Sequence, residues 1–290
     1  MSEKPPKLVT TVEELRAELA VARQQGLKIG FVPTMGALHE GHLSLVRAAK
    51  SECAWTVVSI YVNPAQFGPH EDFARYPRSL TADLELLKAC GVEVVFAPTD
   101  AEMYRPGHAT WVEVGAEAEP LEGRFRPGHF RGVATIVLKL FNIVQPDVAY
   151  FGQKDYQQAL VIRRMVADLN VPITIRVYPT VREPDGLALS SRNRYLSESG
   201  RRQATVLWRS LRLAAELIER GENRAEVIQA RMQEMISSVS GAQIDYVALV
   251  HPDTLQPVEN VSGPVLAALA VRIEGTRLID NELIRPQKIR

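Results

Sequence analysis

The run LKIGFVPTMGALHEGHLSLVRAAKSE, Leu27 to Glu52, decides the fold. Leu27–Thr34 is apolar and rich in β-formers, the glycines and polar residues after it are turn formers, and His42 to Glu52 carries a helical pattern. A strand feeding a helix is half of a β-α-β unit, and the unit recurs. Further strands are expected at Trp55–Asn63, Val92–Pro98, Asp147–Gly152 and Ile173–Thr180. Helices are expected at Val12–Gln24, with a capping box from Thr11 and Glu14, and at Thr81–Cys90, stopped by Gly91. Two more are expected at Gly132–Gln145, closed by Pro146, and at Tyr156–Asn170, with Pro172 beyond. The expectation is an α/β protein whose residues 1–180 build a five-stranded parallel sheet. After Thr180 the texture changes to two long amphipathic helices, Ser197–Arg220 and Arg224–Val239. Strands at Ile244–His251, Val265–Ile273 and Thr276–Asp280 follow, giving residues 181–290 as a smaller α+β domain.

Lys plus Arg and Asp plus Glu number 34 each, so attraction to an anionic ligand must come from local geometry, and a nucleic-acid partner is disfavoured. No apolar run approaches the ~20 residues of a membrane span, and Met1–Thr10 lacks the apolar core of a secretory leader. A cytoplasmic protein with no membrane or nucleic-acid partner is expected. Cys53 and Cys90 are isolated and read as reduced core residues.

A parallel sheet wound this way binds ligands beyond the carboxyl ends of its strands. Three segments there are richer in polar and turn residues than idle connections: Pro33-Thr34-Met35-Gly36, Asn63–Gly68 and Phe151–Asp155. His39, Gly41 and His42 lie where a helix begins, where backbone N–H groups and the helix dipole favour an anion. A bound polyphosphate would favour imidazolium and the dipole would oppose it, so nucleotide binding is a candidate for setting the histidines' protonation. The same pair also reads as polar caps or as two ligands of a zinc site. Lys154 offers a compact cation to a phosphate, or is a solvated loop lysine. Ser190-Ser191-Arg192 is a donor set for phosphates, or a serine turn leading into a helix. Gln66 and Gln158 suit a small hydroxylated carboxylate, or are plain surface residues. Arg126 and His129 form a further basic cluster that would help to carry a substrate carboxylate.

Four segments, Val32–His42, Tyr61–Phe67, Phe151–Gln158 and Ser190–Leu196, resemble in order the motifs of the pantothenate synthetase family, within the H-x-G-H nucleotidylyltransferase superfamily. The resemblance runs roughly from Leu27 to Asp280. It implies a Rossmann-like sheet of nucleotidylyltransferase type and a homodimer. The implied reaction condenses (R)-pantoate with β-alanine, with ATP converted to AMP and diphosphate through a pantoyl-adenylate. By the resemblance His42 is the proton donor, and His39, Lys154, Ser190, Ser191 and Arg192 complete the catalytic set. The nucleotide would also meet Pro33, Thr34, Met35, Gly36, Gly41, Gly152, Asp155, Val181 and Leu189. Pantoate would meet Met35, Asn63, Gln66, Phe67 and Gln158, and Gln66 would meet β-alanine as well. Asp155 is left with two roles, orienting Lys154 or binding ribose. Mg²⁺ would ride on phosphate oxygens, with Asp83 or Asp155 as an added carboxylate. Two departures from the family pattern, Leu189 for Met and Gln153 for Glu, are mild. The rivals are a nucleotidylyltransferase with a phosphate acceptor, a regulatory nucleotide binder without catalysis, and a tRNA-charging enzyme. Product analysis separates the first from the ligase, a turnover assay settles the second, and a tRNA requirement would mark the third.

Overall fold

Helix α1 (Val12–Gln24) starts as its sequence predicts: Thr11 accepts the Glu14 N–H, and the Glu14 carboxylate accepts the Thr11 N–H. The computed structural model describes residues 4–286. Around α1 the chain lays down β1 (Lys7–Val9), β2 (Ile29–Thr34), α2 (Glu40–Glu52), β3 (Trp55–Ile60), α3 (Leu80–Ala89) and β4 (Val94–Phe96). The short helices α4 (Asp100–Met103) and α5 (Glu122–Phe125) precede α6 (His129–Val144), β5 (Val148–Gly152), α7 (Tyr156–Asp168) and β6 (Thr174–Tyr178). The six strands pair in parallel in the order β1-β4-β3-β2-β5-β6. The parallel α/β architecture is the expected one, with one strand more than the sequence reading. The added strand, β1, has three residues and lies at the sheet's edge, too short to show a period.

Residues on alternate faces of the strands enter two cores. Phe31, Val57 and Phe96 pack with Leu15, Leu19, Phe141 and Ile162, while Val32, Val58, Val95 and Tyr150 pack with Leu45, Val46 and Leu87. From β2 the chain winds outward through β3 and β4, then returns to add β5 on the opposite side of β2, so the strand order reverses between β2 and β5. Pairing there covers only Gly30–Val148 and Phe31–Ala149. Pro33, which has no N–H to donate, lies beyond this short ladder and keeps only its place beside Ser59 of β3. A crevice at the carboxyl ends of β2 and β5 follows from that reversal.

The chain divides into two compact units. One runs to Ala118 and includes Glu122–Gln153 and Gln158–Pro179; the other comprises Glu119–Leu121, Lys154–Gln157 and the chain from Thr180 onward. In the second, α8 (Glu198–Gln203), α9 (Val206–Glu219) and α10 (Ala225–Ser237) accompany an antiparallel sheet of β7 (Gln243–Val250), β8 (Val265–Ile273) and β9 (Thr276–Ile284), ordered β7-β8-β9. Its own core joins Leu207, Leu211, Ile228 and Met232 to Leu249, Leu269 and Val271. The single helix expected over Ser197–Arg220 is broken at Ala204–Thr205, where the Thr205 hydroxyl donates to the Arg202 carbonyl at 2.7 Å and competes for an acceptor of the helix ladder. Helix α6 begins three residues before the expected Gly132, because Gly128 (φ 82°) turns the chain into it.

Candidate active site

The loop between β2 and α2 is held from below by a residue that motif reading had linked only to a metal. The Asp83 carboxylate, in α3, is buried and accepts the N–H of Ala37 at 2.9 Å and of Leu38 at 2.8 Å. Both carboxylate oxygens of Asp83 are therefore engaged by the backbone of the loop. Asp83 shares the buried face of α3 with Leu87, four residues on, so its burial has a signal in the spacing although its target does not. Upstream, the Thr34 hydroxyl donates to the Ser59 carbonyl at 2.7 Å and accepts the Gly36 N–H at 3.1 Å. Gly36 has φ 79°, and a Cβ there would stand 3.0 Å from both Asp83 Oδ2 and Ile60 Cγ2. Glycine is the residue that fits.

Helix α2 begins two residues before the expected His42, because His39 is its N-cap. His39 Nδ1 accepts the Gly41 N–H at 3.2 Å, and His42 Nδ1 accepts the His39 N–H at 3.3 Å. This is a capping box built from imidazoles, with ring centroids 4.1 Å apart. An Nδ1 that accepts cannot carry the proton, so each neutral ring is the Nε2–H tautomer. The capping reading is realised, and the caps leave Nε2 as the protonated nitrogen of each neutral ring at the positive end of a helix.

The Asn63–Gly68 segment forms a second cluster. Asn63 Nδ2 donates to the Gly132 carbonyl at 3.2 Å and to Gln66 Oε1 at 3.0 Å, while Asn63 Oδ1 accepts the Tyr104 hydroxyl at 2.8 Å. A carbonyl can only accept, so the whole chain of amides is oriented by Gly132, and Gln66 directs its Nε2 at Met35 Sδ, 3.1 Å away. Gln66 is buried, not a surface glutamine, and Phe67 packs edge-on against Phe73 and Tyr76. Gln158 is half-buried in the first turn of α7.

Arg126 and His129 are not an open basic cluster. Arg126 makes a two-pronged bond to Glu71, at 2.7 Å for each contact, and its third nitrogen meets His129 Nε2 at 3.0 Å. His129 Nδ1 donates to the Gln66 carbonyl at 2.9 Å. Burial first, and then the Arg126 charge, push the His129 pKa down to about 4, so the ring is neutral. Burial alone would raise the Glu71 carboxyl, but the Arg126 bonds win and hold it below its ordinary value. These groups support Gln66 from behind. Neither Tyr104 nor this support carries a local sequence signal.

In the second unit Lys154 is half-buried and Asp155 exposed, in the turn that follows Gly152. The Val181–Leu189 loop is a small hairpin: Leu189 N–H donates to the Val181 carbonyl at 3.0 Å, and Arg182 bridges Ala188. Ser190 caps a single turn, Ser191–Tyr195, by accepting the Arg192 N–H at 3.3 Å, so the serine-turn reading holds here. Its O–H still has a proton to donate. Ser191 is buried and Arg192 half-buried. Among the described residues no group of three or more His, Cys, Asp or Glu is arranged to hold a metal ion. No described helix is long and apolar enough to cross a membrane.

A family model described as pantoate-beta-alanine ligase matches residues 7–283. The pantothenate synthetase of Moorella thermoacetica is 58% identical over 278 residues, covering 96% of this chain and 98% of the relative. That of Chloroflexus aggregans is 54% identical over 280 residues, 96% of this chain and 99% of the relative. The crystal structure of pantothenate synthetase from Thermus thermophilus superposes with a TM-score of 0.92 at 49% identity, covering 97% of this chain and 100% of that one. The pantoate-beta-alanine ligase of Francisella tularensis, solved with beta-gamma ATP and beta-alanine, superposes at 0.80 with 36% identity, covering 96% and 97%.

Proposed function

The chain belongs to the pantoate-beta-alanine ligase family, and from that premise we propose how its residues divide the labour of an ATP-dependent condensation of pantoate with β-alanine. A carboxylate is a poor electrophile, so it must first exchange an oxygen charge for a leaving group. A pantoate carboxylate oxygen attacks the α-phosphorus of ATP, the bond to the β-phosphate breaks, and diphosphate departs. The β-alanine amine then attacks the acyl carbon of pantoyl-adenylate, the acyl C–O bond breaks, AMP leaves, and the amine gives up its proton.

The observation that carries this reading is the pair of imidazoles whose Nδ1 atoms are taken by backbone N–H groups, which puts the proton of each neutral ring on Nε2, at the mouth of α2. Donors fixed before the reaction need no reorganisation as charge grows on the departing diphosphate. His42 is the proton donor and His39 its companion on the phosphates. Lys154 serves the α-phosphate when five oxygens crowd it, and Ser190, Ser191 and Arg192 serve the outer phosphates. Pro33, Thr34, Met35, Gly36, Gly41, Gly152, Asp155, Val181 and Leu189 complete the nucleotide's surroundings. Asn63, Gln66 and Gln158, with Met35 and Phe67, take pantoate. The orientation of Gln66 supports this, because its Nε2 is spent only on the weak acceptor Met35 Sδ and is a neutral donor that an acceptor oxygen could take without a competing charge. Gln66 then meets β-alanine.

In this reading residues 1–180 bind ATP and pantoate, and residues 181–290 act as the domain that covers them. Mg²⁺ would be carried chiefly by the phosphate oxygens of ATP, with Asp155 as a candidate added carboxylate, and no step above is routed through it. The working form is a cytoplasmic homodimer; cell fractionation and sedimentation at several concentrations test the two parts of that statement. The decisive assay follows AMP with ATP, pantoate and β-alanine each omitted in turn. AMP and pantothenate should require all three, while pantoate alone should support exchange of diphosphate into ATP. AMP release without pantoate would refute the reading.

A further inference from the structure

β9 carries two consecutive buried polar residues, Asp280 and Asn281, although neighbouring side chains of a strand point to opposite faces and one of them usually meets solvent. Each has a distant partner. Asn281 Nδ2 donates to the backbone carbonyl of Lys154 at 2.9 Å, across 127 residues of sequence. Asp280 takes Arg182 in a two-pronged bond, at 2.6 and 2.9 Å. Arg182 in turn lies 3.8 Å over the Trp208 ring and donates to the Gly186 carbonyl at 3.1 Å, at the tip of the loop that leads to Ser190. Gly186 has φ 91°, and a Cβ there would collide with Trp208 at 1.8 Å, so the loop tip is pressed onto the same ring. The other end of the lysine turn is also tied, by Gln157 Nε2 to the Pro120 carbonyl at 2.7 Å.

A lysine is a point charge on four flexible methylenes, so its ammonium is only as well placed as the backbone that carries it. Asn281 grips the peptide oxygen of Lys154 itself. We propose that Asn281 is a positioning residue for Lys154, and that the Asp280–Asn281 step of β9 sets the spacing between Lys154 and the Ser190–Arg192 turn. The Lys154–Gln157 turn, although it follows β5 in the chain, then keeps register with the serine turn through β9. The proposal rests on the reading that Lys154 acts on ATP.

The test uses the full-length enzyme with Asn281→Ala and with Asn281→Leu, which keeps the shape of asparagine without its donor. Pantoate-dependent exchange of diphosphate into ATP should fall about 10-fold or more, with the pantoate KM moving less than about twofold, since a misplaced group acts on the chemical step. Hydrogen exchange in the peptide spanning Lys154–Gln157 should rise. On a Lys154→Ala background the same substitutions should change the rate by less than about twofold, because residues acting through one another are non-additive. An equal fold-loss on that background, or unchanged protection of the turn in a folded variant, overturns the proposal. A Lys154→Ala enzyme with wild-type exchange would instead overturn the role of Lys154 on ATP, and loss of protection at the turn in Asn281→Leu tells that failure apart from failure of the anchor.

Discussion

Asp83 reads in the sequence as one of two acids on a helix, yet two backbone N–H groups of the histidine loop depend on it. Removing an acceptor from buried donors leaves them unsatisfied at about 1–3 kcal/mol each. Asp83→Ala should therefore lose about 2 kcal/mol or more in denaturant unfolding, together with a drop in diphosphate exchange. Asp83→Asn, which keeps one acceptor oxygen, should lose less of both. His129 sets a pH dependence of known sign. Its pKa in the fold is about 4, against an ordinary 6.5. Between those values the unfolded chain binds a proton that the folded chain refuses, so its contribution is complete above about pH 6.5 and is lost as the pH falls toward 4. Urea titrations should show stability falling by about 2 kcal/mol between pH 7.5 and 5 from this group. His129→Asn, whose Nδ2 can still donate to Gln66, should flatten that limb; an unchanged acid loss would count against the assignment. The residues to which we assign the chemistry are reached by motif reading because each lies in a short contiguous run. Asp83, Tyr104 and Asn281 are not, since each meets its target through a tertiary hydrogen bond that no sequence spacing encodes.

At the scale of elements, α6 and the Pro64–Gln66 turn meet through Gly132, where a Cβ would stand 2.2 Å from the Ala65 carbonyl oxygen. Glycine within a helix costs roughly 1 kcal/mol relative to alanine, so Gly132→Ala would stabilise α6 if nothing lay against it. The contact reverses the sign. Gly132→Ala should lower thermal stability and raise the pantoate KM about 10-fold or more through the displaced Asn63–Gln66 pair, while the KM for ATP changes little. A more stable variant with an unaltered KM would show that the turn yields freely. α1 was readable because its apolar period is sustained, and β2, β3, β4 and β5 because each lies in a longer apolar run of sequence. The three-residue β1 has no period to read, and the α8–α9 break rests on one threonine hydroxyl that the amphipathic pattern runs straight through.

At the scale of the molecule, each unit has its own apolar core, so unfolding has no obligation to be a single transition. The Arg182–Asp280 pair is a selective probe, since the Asp280 side chain is only 1% exposed and both its partners belong to the second unit. Burial raises the Asp280 carboxyl above its ordinary value even though Arg182 pulls the other way, so desolvation is a real cost and the pair holds by geometry. Neutralising one member of a buried pair leaves the other charge uncompensated, at about 3–5 kcal/mol. Asp280→Asn should therefore split the calorimetric profile, moving one transition down by several degrees and leaving the other in place. Diphosphate exchange measured below the lower transition should fall as well, because the loop that carries Ser190 to Arg192 hangs from Arg182. A single transition that shifts as a whole would show that the two cores unfold together. A split profile with full exchange activity would remove Arg182 from any part in placing that loop.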